Sequence, residues 1–177
     1  MIVEYERTLE DLVEFNLFHI AHSPSLQRQI LLWRVFFALL TVFLSLGGIY
    51  FLDSDGHLTS FAYILSMIAG AAIFFIYPFL NRVSIIRRTQ KLLSEGDNEA
   101  VLGPQTITVS PEGLFCKTRV SESTLKWSSI VKVAEDDDYI FVYIGAVNAV
   151  IIPKEAFSTD EAEQGFLDLI DTNRKLG

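Results

Sequence analysis

Two long apolar runs dominate the pattern of hydrophobic and polar positions along the chain. The first covers residues 30–52 and carries one charged residue, Arg34, near its start, whereas the second covers residues 61–80 and carries none. At about 1.5 Å per residue, each run reaches roughly 30 Å, the thickness of the hydrocarbon core of a membrane. The pattern predicts a two-helix transmembrane hairpin over residues 30–80, and the alternative is a pair of core helices in a soluble bundle.

The segment before the hairpin, residues 1–29, predicts a short strand followed by an amphipathic helix. Apolar and charged residues alternate at its start, and Thr8 with Asp11 forms a capping box that opens a helix ending near His22. One face of this helix is apolar enough to need cover, either from the membrane surface or from the C-terminal domain. Pro24 at the first position of a new helix leads into the first membrane helix.

The segment after the hairpin keeps the helical period and is rich in basic residues. Residues 81–96 predict a basic juxtamembrane helix that ends at Gly96. Pro78 is expected to kink the exit from the second membrane helix. Residues 97–104 are predicted to form a linker.

The hydrophobic period changes to two at residue 105, which predicts strands. Short alternating segments are separated by turns, and the most apolar of them, residues 139–153, predicts a hairpin of two strands. Ser158 with Glu161 forms a second capping box, which opens a C-terminal amphipathic helix. The predicted fold is an α+β membrane protein, in which a small antiparallel β-barrel or sandwich, residues 105–177, is capped by that helix. The N-terminal strand is a candidate member of the same sheet.

The charges beside the apolar runs predict their orientation. Arginine and lysine residues lie next to the start of the first run and the end of the second, whereas the loop at residues 53–57 contains neither. The positive-inside rule therefore predicts a two-pass topology with both termini in the cytoplasm. The first 29 residues are acidic, so no cleavable signal peptide is expected. The single cysteine, Cys116, excludes an intrachain disulfide, as expected for a cytoplasmic domain.

Small residues at helical spacing predict close approach of the membrane helices. The second helix carries a stripe formed by Ala62, Ser66 and Gly70. The first helix carries a looser stripe formed by Thr41, Ser45 and Gly48. Packing of the two helices on each other, exposure to lipid and dimerisation are the alternatives. A homo-oligomer is therefore one of the arrangements that the sequence leaves open.

Composition and motifs argue against three functional classes. The chain has 22 acidic and 14 basic residues, a net charge of −8, and acidic surfaces repel nucleic acid. The pair His19 and His22, and the acidic runs at 136–138 and 53–55, each lack the further ligands that a metal site needs. Because no residue lies in a recognisable nucleophile motif, no enzymatic activity, metal or cofactor is expected.

Four stretches of the chain carry a resemblance to a known family. They are the strand–turn run ITVSPEGL at residues 107–114, the junction Trp127-Ser128-Ser129-Ile130, the hairpin region of residues 139–157, and the closing helix. Together with the two apolar runs, they resemble the YcxB-like membrane proteins of bacteria. The resemblance implies a C-terminal domain of the bacterial pleckstrin-homology-like (PH-like) fold and a location in the bacterial cytoplasmic (inner or plasma) membrane. It supplies no catalytic residues.

The candidate binding residues are bases and one tryptophan. Four bases follow the second apolar run, namely Arg82, Arg87, Arg88 and Lys91. They either contact anionic lipid headgroups or only set the topology. In a PH-like domain, Lys117 and Arg119 are further candidates for lipid phosphates, and a solvated strand face is the alternative. Trp127 is a candidate contact for a protein partner, or else a core residue.

The function that these features favour is that of a membrane-anchored, non-enzymatic interaction or scaffold module, which presents the PH-like domain at the cytoplasmic face. The lipid bilayer and an unidentified protein are the expected partners. A sensor of anionic lipid or of a small ligand is one alternative, and an accessory subunit of a transporter or envelope complex is another.

Overall fold

The computed structural model describes residues 1–52, 60–95, 98 and 101–176. The acidic loop at residues 53–57 and the predicted helix end at Gly96 lie outside the described residues. The chain divides into two compact units. We call Leu17–Arg88 the hairpin unit, and the combination of Met1–Asn16 with Thr89–Gly177 the sheet unit.

The described residues of the sheet unit form seven antiparallel strands. They are β1 (Ile2–Arg7), β2 (Gly103–Ser110), β3 (Gly113–Thr118), β4 (Glu122–Lys126), β5 (Lys132–Glu135), β6 (Tyr139–Tyr143) and β7 (Ala149–Pro153). Strands β1 to β4 form one sheet in that order, and β5 to β7 form a second. The predicted α+β class with antiparallel sheets is confirmed, but the described strands form two separate sheets and not a closed barrel.

The first two strands are neighbours in one sheet although the whole hairpin unit separates them in sequence. β1 pairs with β2 along its full length, and Val3 lies opposite Ile107. Both side chains are buried, because alternate residues of the two strands point to the same face of the sheet. The N-terminal strand therefore completes the sheet of the C-terminal domain, a point that the sequence left open.

One hydrophobic core joins both sheets to the last helix, α4 (Asp160–Leu176). Its fully buried members come from β2, β3, β6, β7 and α4, and they include Ile107, Leu114, Ile140, Ile152, Phe166 and Ile170. The hydroxyl of Thr159 caps α4, since its Oγ1 accepts a hydrogen bond from the N–H of Ala162 at 3.2 Å. The predicted cap at Ser158 is thus wrong by one residue, because two adjacent hydroxyls offer the same capping chemistry.

Helix α1 (Leu9–His22) provides cover for the second sheet. The predicted capping box is confirmed, since the N–H of Thr8 donates to Asp11 Oδ2 at 2.7 Å and the N–H of Asp11 donates to Thr8 Oγ1 at 3.3 Å. The Phe15 ring lies 5.7 Å from the Phe141 ring and 5.8 Å from the Tyr143 ring. This contact explains why β6 is apolar at successive positions, as its two faces are both covered.

The hairpin unit contains α2 (Pro24–Leu52) and most of α3 (Ser60–Ser94). α3 continues through Pro78 into the predicted juxtamembrane segment as one helix. Both helices are long and apolar enough to cross a membrane, and very little of either apolar stretch is buried. Large side chains such as Leu32, Phe43 and Phe75 are exposed, which is not typical of core helices in a soluble bundle.

The two long helices approach each other closely at Gly70. A Cβ atom added there would meet Val42 Cγ2 at 2.5 Å and the carbonyl oxygen of Ala38 at 3.2 Å. Ser66, one turn away, is only 4% exposed. The stripe on α3 thus packs within the hairpin at Gly70, whereas a Cβ atom added at Gly48 would meet nothing within 4 Å.

Arg34 contacts α3 at the position where the helix lacks a backbone donor. Pro78 has no N–H, so it cannot bond to the carbonyl four residues earlier, which belongs to Phe74. The Nε of Arg34 donates to that carbonyl at 3.2 Å. Its guanidinium carbon also lies 4.2 Å from the centre of the Phe74 ring. One charged side chain on α2 therefore compensates for the proline on α3.

Candidate functional site

A polar concave surface of the sheet unit lies where α1 begins, beside the ends of β6 and β7. We call it the acidic pocket; it encloses about 360 Å³. It is lined by Thr8, Glu10, Asp11, Asp138, Tyr139, Pro153, Lys154 and Glu155. The strands supply a rigid floor, and the capped first turn of α1 supplies one wall.

Asp11 connects α1 to β6. It is only 5% exposed, its Oδ1 accepts a hydrogen bond from the Tyr139 hydroxyl at 3.0 Å, and its Oδ2 accepts one from the N–H of Thr8. Burial, together with the Asp11 carboxylate, raises the pKa of Tyr139, so this phenol stays protonated and donates. Both oxygens of Asp11 are therefore engaged, since Oδ2 caps the start of α1 and Oδ1 holds α1 on β6.

Lys154 is held by two carboxylates. Its Nζ lies 3.1 Å from Glu135 Oε2 and 3.0 Å from Glu163 Oε1. Burial alone would lower the pKa of Lys154, but the hydrogen bonds that its ammonium group donates to Glu163 and Glu135 outweigh this effect, so the pKa is raised. Because this single base is already neutralised, the exposed carboxylates of Glu10, Asp138 and Glu155 leave the rim negative.

The acidic run at residues 136–138 forms a turn. Asp136 Oδ1 accepts hydrogen bonds from the N–H groups of Asp138 and Tyr139, at 3.0 Å and 2.7 Å. On α1, the Nδ1 of His22 lies 2.9 Å from the carbonyl oxygen of Phe18. Among the residues that the structure describes, no group of three or more histidine, cysteine, aspartate or glutamate side chains is placed to hold a metal ion.

The predicted bases of the sheet unit lie at the exposed end of β3. Lys117 Nζ is 2.7 Å from Glu122 Oε1 on the neighbouring strand. The hydrogen bond to Glu122 raises the pKa of Lys117, so this base is charged but paired. Arg119 follows directly after β3 and is exposed. Their role in binding lipid phosphates stays a prediction.

Trp127 belongs to the hydrophobic core of the sheet unit. It is 5% exposed, and its Nε1 donates to the carbonyl oxygen of Pro111 at 3.1 Å. This position fits the alternative of a core residue. Trp127 also lines a separate cavity of about 350 Å³, together with Pro111 and Lys126.

The four predicted bases that follow the second apolar run all lie on α3 and are exposed, but they have different surroundings. Lys91 Nζ lies 3.8 Å from Glu95 Oε1. Arg88 lines a cavity of about 320 Å³ within the hairpin unit, whereas Arg82 and Arg87 do not. The other polar residues of that cavity were not predicted as site residues, although their helical spacing was visible: Gln29, Trp33, Tyr77 and Asn81.

The comparison with protein families finds a similarity in the C-terminal part of the chain. The model of the YcxB-like protein family matches residues 109–170, which extend from the end of β2 into α4. No curated protein and no solved structure gives a significant match. The matched segment contains the Trp127 junction and the β6–β7 hairpin, two of the stretches that carried the resemblance. The resemblance is therefore confirmed over residues 109–170, which match the YcxB-like family model, and two helices long enough to cross a membrane precede that segment.

Proposed function

We propose that this protein is a membrane-anchored, non-enzymatic interaction module, which presents a PH-like sheet unit to a protein partner at the cytoplasmic face of the bacterial cytoplasmic membrane. The observation that carries the proposal is the pairing of β1 with β2. These strands flank α2 and α3 in sequence and share one sheet. The hairpin is therefore an insertion within a single folded domain.

This insertion supports a two-pass anchor. Two strands of one sheet have to lie on the same side of a membrane, so the chain between them must cross it an even number of times. The basic residues beside the hairpin favour the cytoplasm as that side. Removal of the first apolar helix as a signal peptide would also remove β1, whose buried Val3 belongs to the core.

The architecture of the sheet unit supports the PH-like assignment. Sheets of four and three antiparallel strands share one core with a C-terminal helix. The polar groups in the acidic pocket support a binding role over a catalytic one. Asp11 and Lys154 are each engaged by neighbouring side chains, so neither is poised as an acid, base or nucleophile.

The topology is tested by cysteine accessibility in a Cys116→Ala background. Asp55→Cys and Asp160→Cys are labelled in intact cells with a membrane-impermeant maleimide. We expect labelling at position 55, and labelling at 160 only after the membrane is opened. Labelling of position 160 in intact cells contradicts the proposed orientation.

Partner binding is tested by site-specific photocrosslinking in native membranes. A photoreactive residue replaces Glu155 at the rim of the acidic pocket, and the matched control replaces Lys175, which is exposed on α4. We expect a reproducible protein adduct from position 155 that is weaker from position 175. Adducts that are absent from both positions, or equally strong at both, contradict the proposed binding surface.

A further inference from the structure

Two helical stripes in the hairpin unit form the cavity that Arg88 lines, here called the basal pocket. On α2, Gln29 and Trp33 lie four residues apart, and on α3, Tyr77, Asn81, Ile85 and Arg88 follow at spacings of four, four and three. Residues at such spacings share one face of a helix. The stripes of α2 and α3 thus face a common cavity of about 320 Å³.

The polar groups of the basal pocket are available for a ligand. Five of its side chains carry N–H or O–H donors, namely Gln29, Trp33, Tyr77, Asn81 and Arg88. In the described parts of the chain, none of these five forms a hydrogen bond or ion pair with another residue through its side chain. Lys91, Lys117 and Lys154 differ, because each lies beside a carboxylate.

The chemistry of the pocket favours an anion. No aspartate or glutamate lines it, and Arg88 supplies a permanent positive charge. Guanidinium groups bind phosphate through paired, charge-assisted hydrogen bonds, which are stronger than neutral ones. Amide and hydroxyl donors on the same face, such as Asn81 and Tyr77, complete the coordination of phosphate oxygens.

The length and polarity of the pocket favour an amphiphile over a free anion. Arg88 lies eleven positions after Tyr77, which corresponds to about 16 Å along α3. Apolar side chains, including Ile30 and Ile85, line the cavity between the polar groups. Trp33 and Tyr77 are residue types that prefer the boundary between headgroups and hydrocarbon.

From this arrangement we infer that the basal pocket binds the phosphate of an anionic phospholipid. Arg88 holds the phosphate, Gln29 and Asn81 donate to its oxygens, and the glycerol and first methylene groups lie toward Trp33 and Tyr77. The inference rests on the membrane location proposed above, and it adds a defined lipid site to the anchor.

The test measures lipid retained by the purified full-length protein, using native mass spectrometry in detergent. The probes are phosphatidylglycerol, which is anionic, and phosphatidylcholine, which is zwitterionic. Arg88→Gln is the test variant, and Arg87→Gln is the matched control, because Arg87 is adjacent and exposed but does not line the pocket. Asn81→Ala provides an independent loss of one donor.

We expect Arg88→Gln to lower phosphatidylglycerol retention by about tenfold and Asn81→Ala by a smaller factor, whereas Arg87→Gln changes it less than twofold. Arg88→Lys, which keeps the charge without the planar fork, is expected to bind at an intermediate level. Equal effects at positions 87 and 88, or equal retention of the two lipids, overturn the proposed site.

Inorganic phosphate separates the two sources of the anion. If millimolar phosphate displaces the lipid completely, the site recognises a free anion and the lipid assignment is wrong. If phosphatidylglycerol is retained in millimolar phosphate, the lipid assignment is supported. Failure of the lipid site leaves the membrane anchor standing, because cysteine accessibility tests the anchor separately.

Discussion

Replacing Arg34 by methionine tests whether this side chain compensates for the missing N–H of Pro78. Methionine has a similar length and packs against apolar neighbours, but it cannot donate to the Phe74 carbonyl. In Pro78→Ala, the restored N–H at position 78 bonds to Phe74 within the helix, so the contribution of Arg34 falls. The two substitutions are therefore expected to be coupled.

The size of the coupling follows from the geometry. Hydrogen bonds between membrane helices average about 0.6 kcal/mol and reach about 1.7 kcal/mol. The Arg34 donor is charged and lies 3.2 Å from the carbonyl oxygen, so we expect a coupling free energy of about 1 kcal/mol. The contact with the Phe74 ring and the cost of placing a charge near the bilayer are lost in both backgrounds, so they cancel in the cycle.

The assay is a double-mutant cycle on the free energy of separating α2 from α3 in micelles, measured by steric trapping at Tyr50 and Phe61, which are both exposed. The control cycle combines Thr41→Val with Pro78→Ala, because the Thr41 hydroxyl donates to the carbonyl oxygen of Phe37 in its own helix, at 2.8 Å. A coupling free energy below about 0.3 kcal/mol refutes the compensation argument. A control cycle with as large a coupling free energy as the Arg34 cycle refutes it as well.

Two further predictions concern the sheet unit. Gly113 has φ 154°, and a Cβ atom there would overlap the carbonyl group of Leu125, so we expect Gly113→Ala to lower the free energy of unfolding by about 3 kcal/mol in thermal or denaturant melts. Gly145→Ala, where the added atom meets nothing within 4 Å, is the control, and equal melts for the two variants contradict the prediction. Burial raises the pKa of the Cys116 thiol from 9.0 to about 11, so the folded state keeps a proton that the unfolded state loses. The contribution of the Cys116 thiol to the free energy of unfolding is complete below pH 9 and is lost as pH rises through 11. In pH-dependent melts, we therefore expect Cys116→Ala to lose less stability than the native chain over that range. An identical decline for the two proteins would count against this prediction.

The sequence alone determined the features that depend on residues close together in the chain. The length of the two apolar runs predicted α2 and α3, because the thickness of the hydrocarbon core sets a minimum length for an apolar helix that crosses a membrane. Thr8 and Asp11 predicted the start of α1, since a capping box acts within one helical turn. The same local chemistry could not separate Ser158 from Thr159 at the start of α4, because adjacent hydroxyls are equivalent caps.

The tertiary structure decided which distant residues meet. Val3 pairs with Ile107, and Phe15 covers Phe141, across separations that no period in the sequence encodes. The same holds for the chemistry of the basal pocket, where Arg88 was visible as one base among four on a helix. Its distinction from Arg87 depends on the face that α3 turns toward α2, and that orientation is fixed by packing between the helices, not by composition.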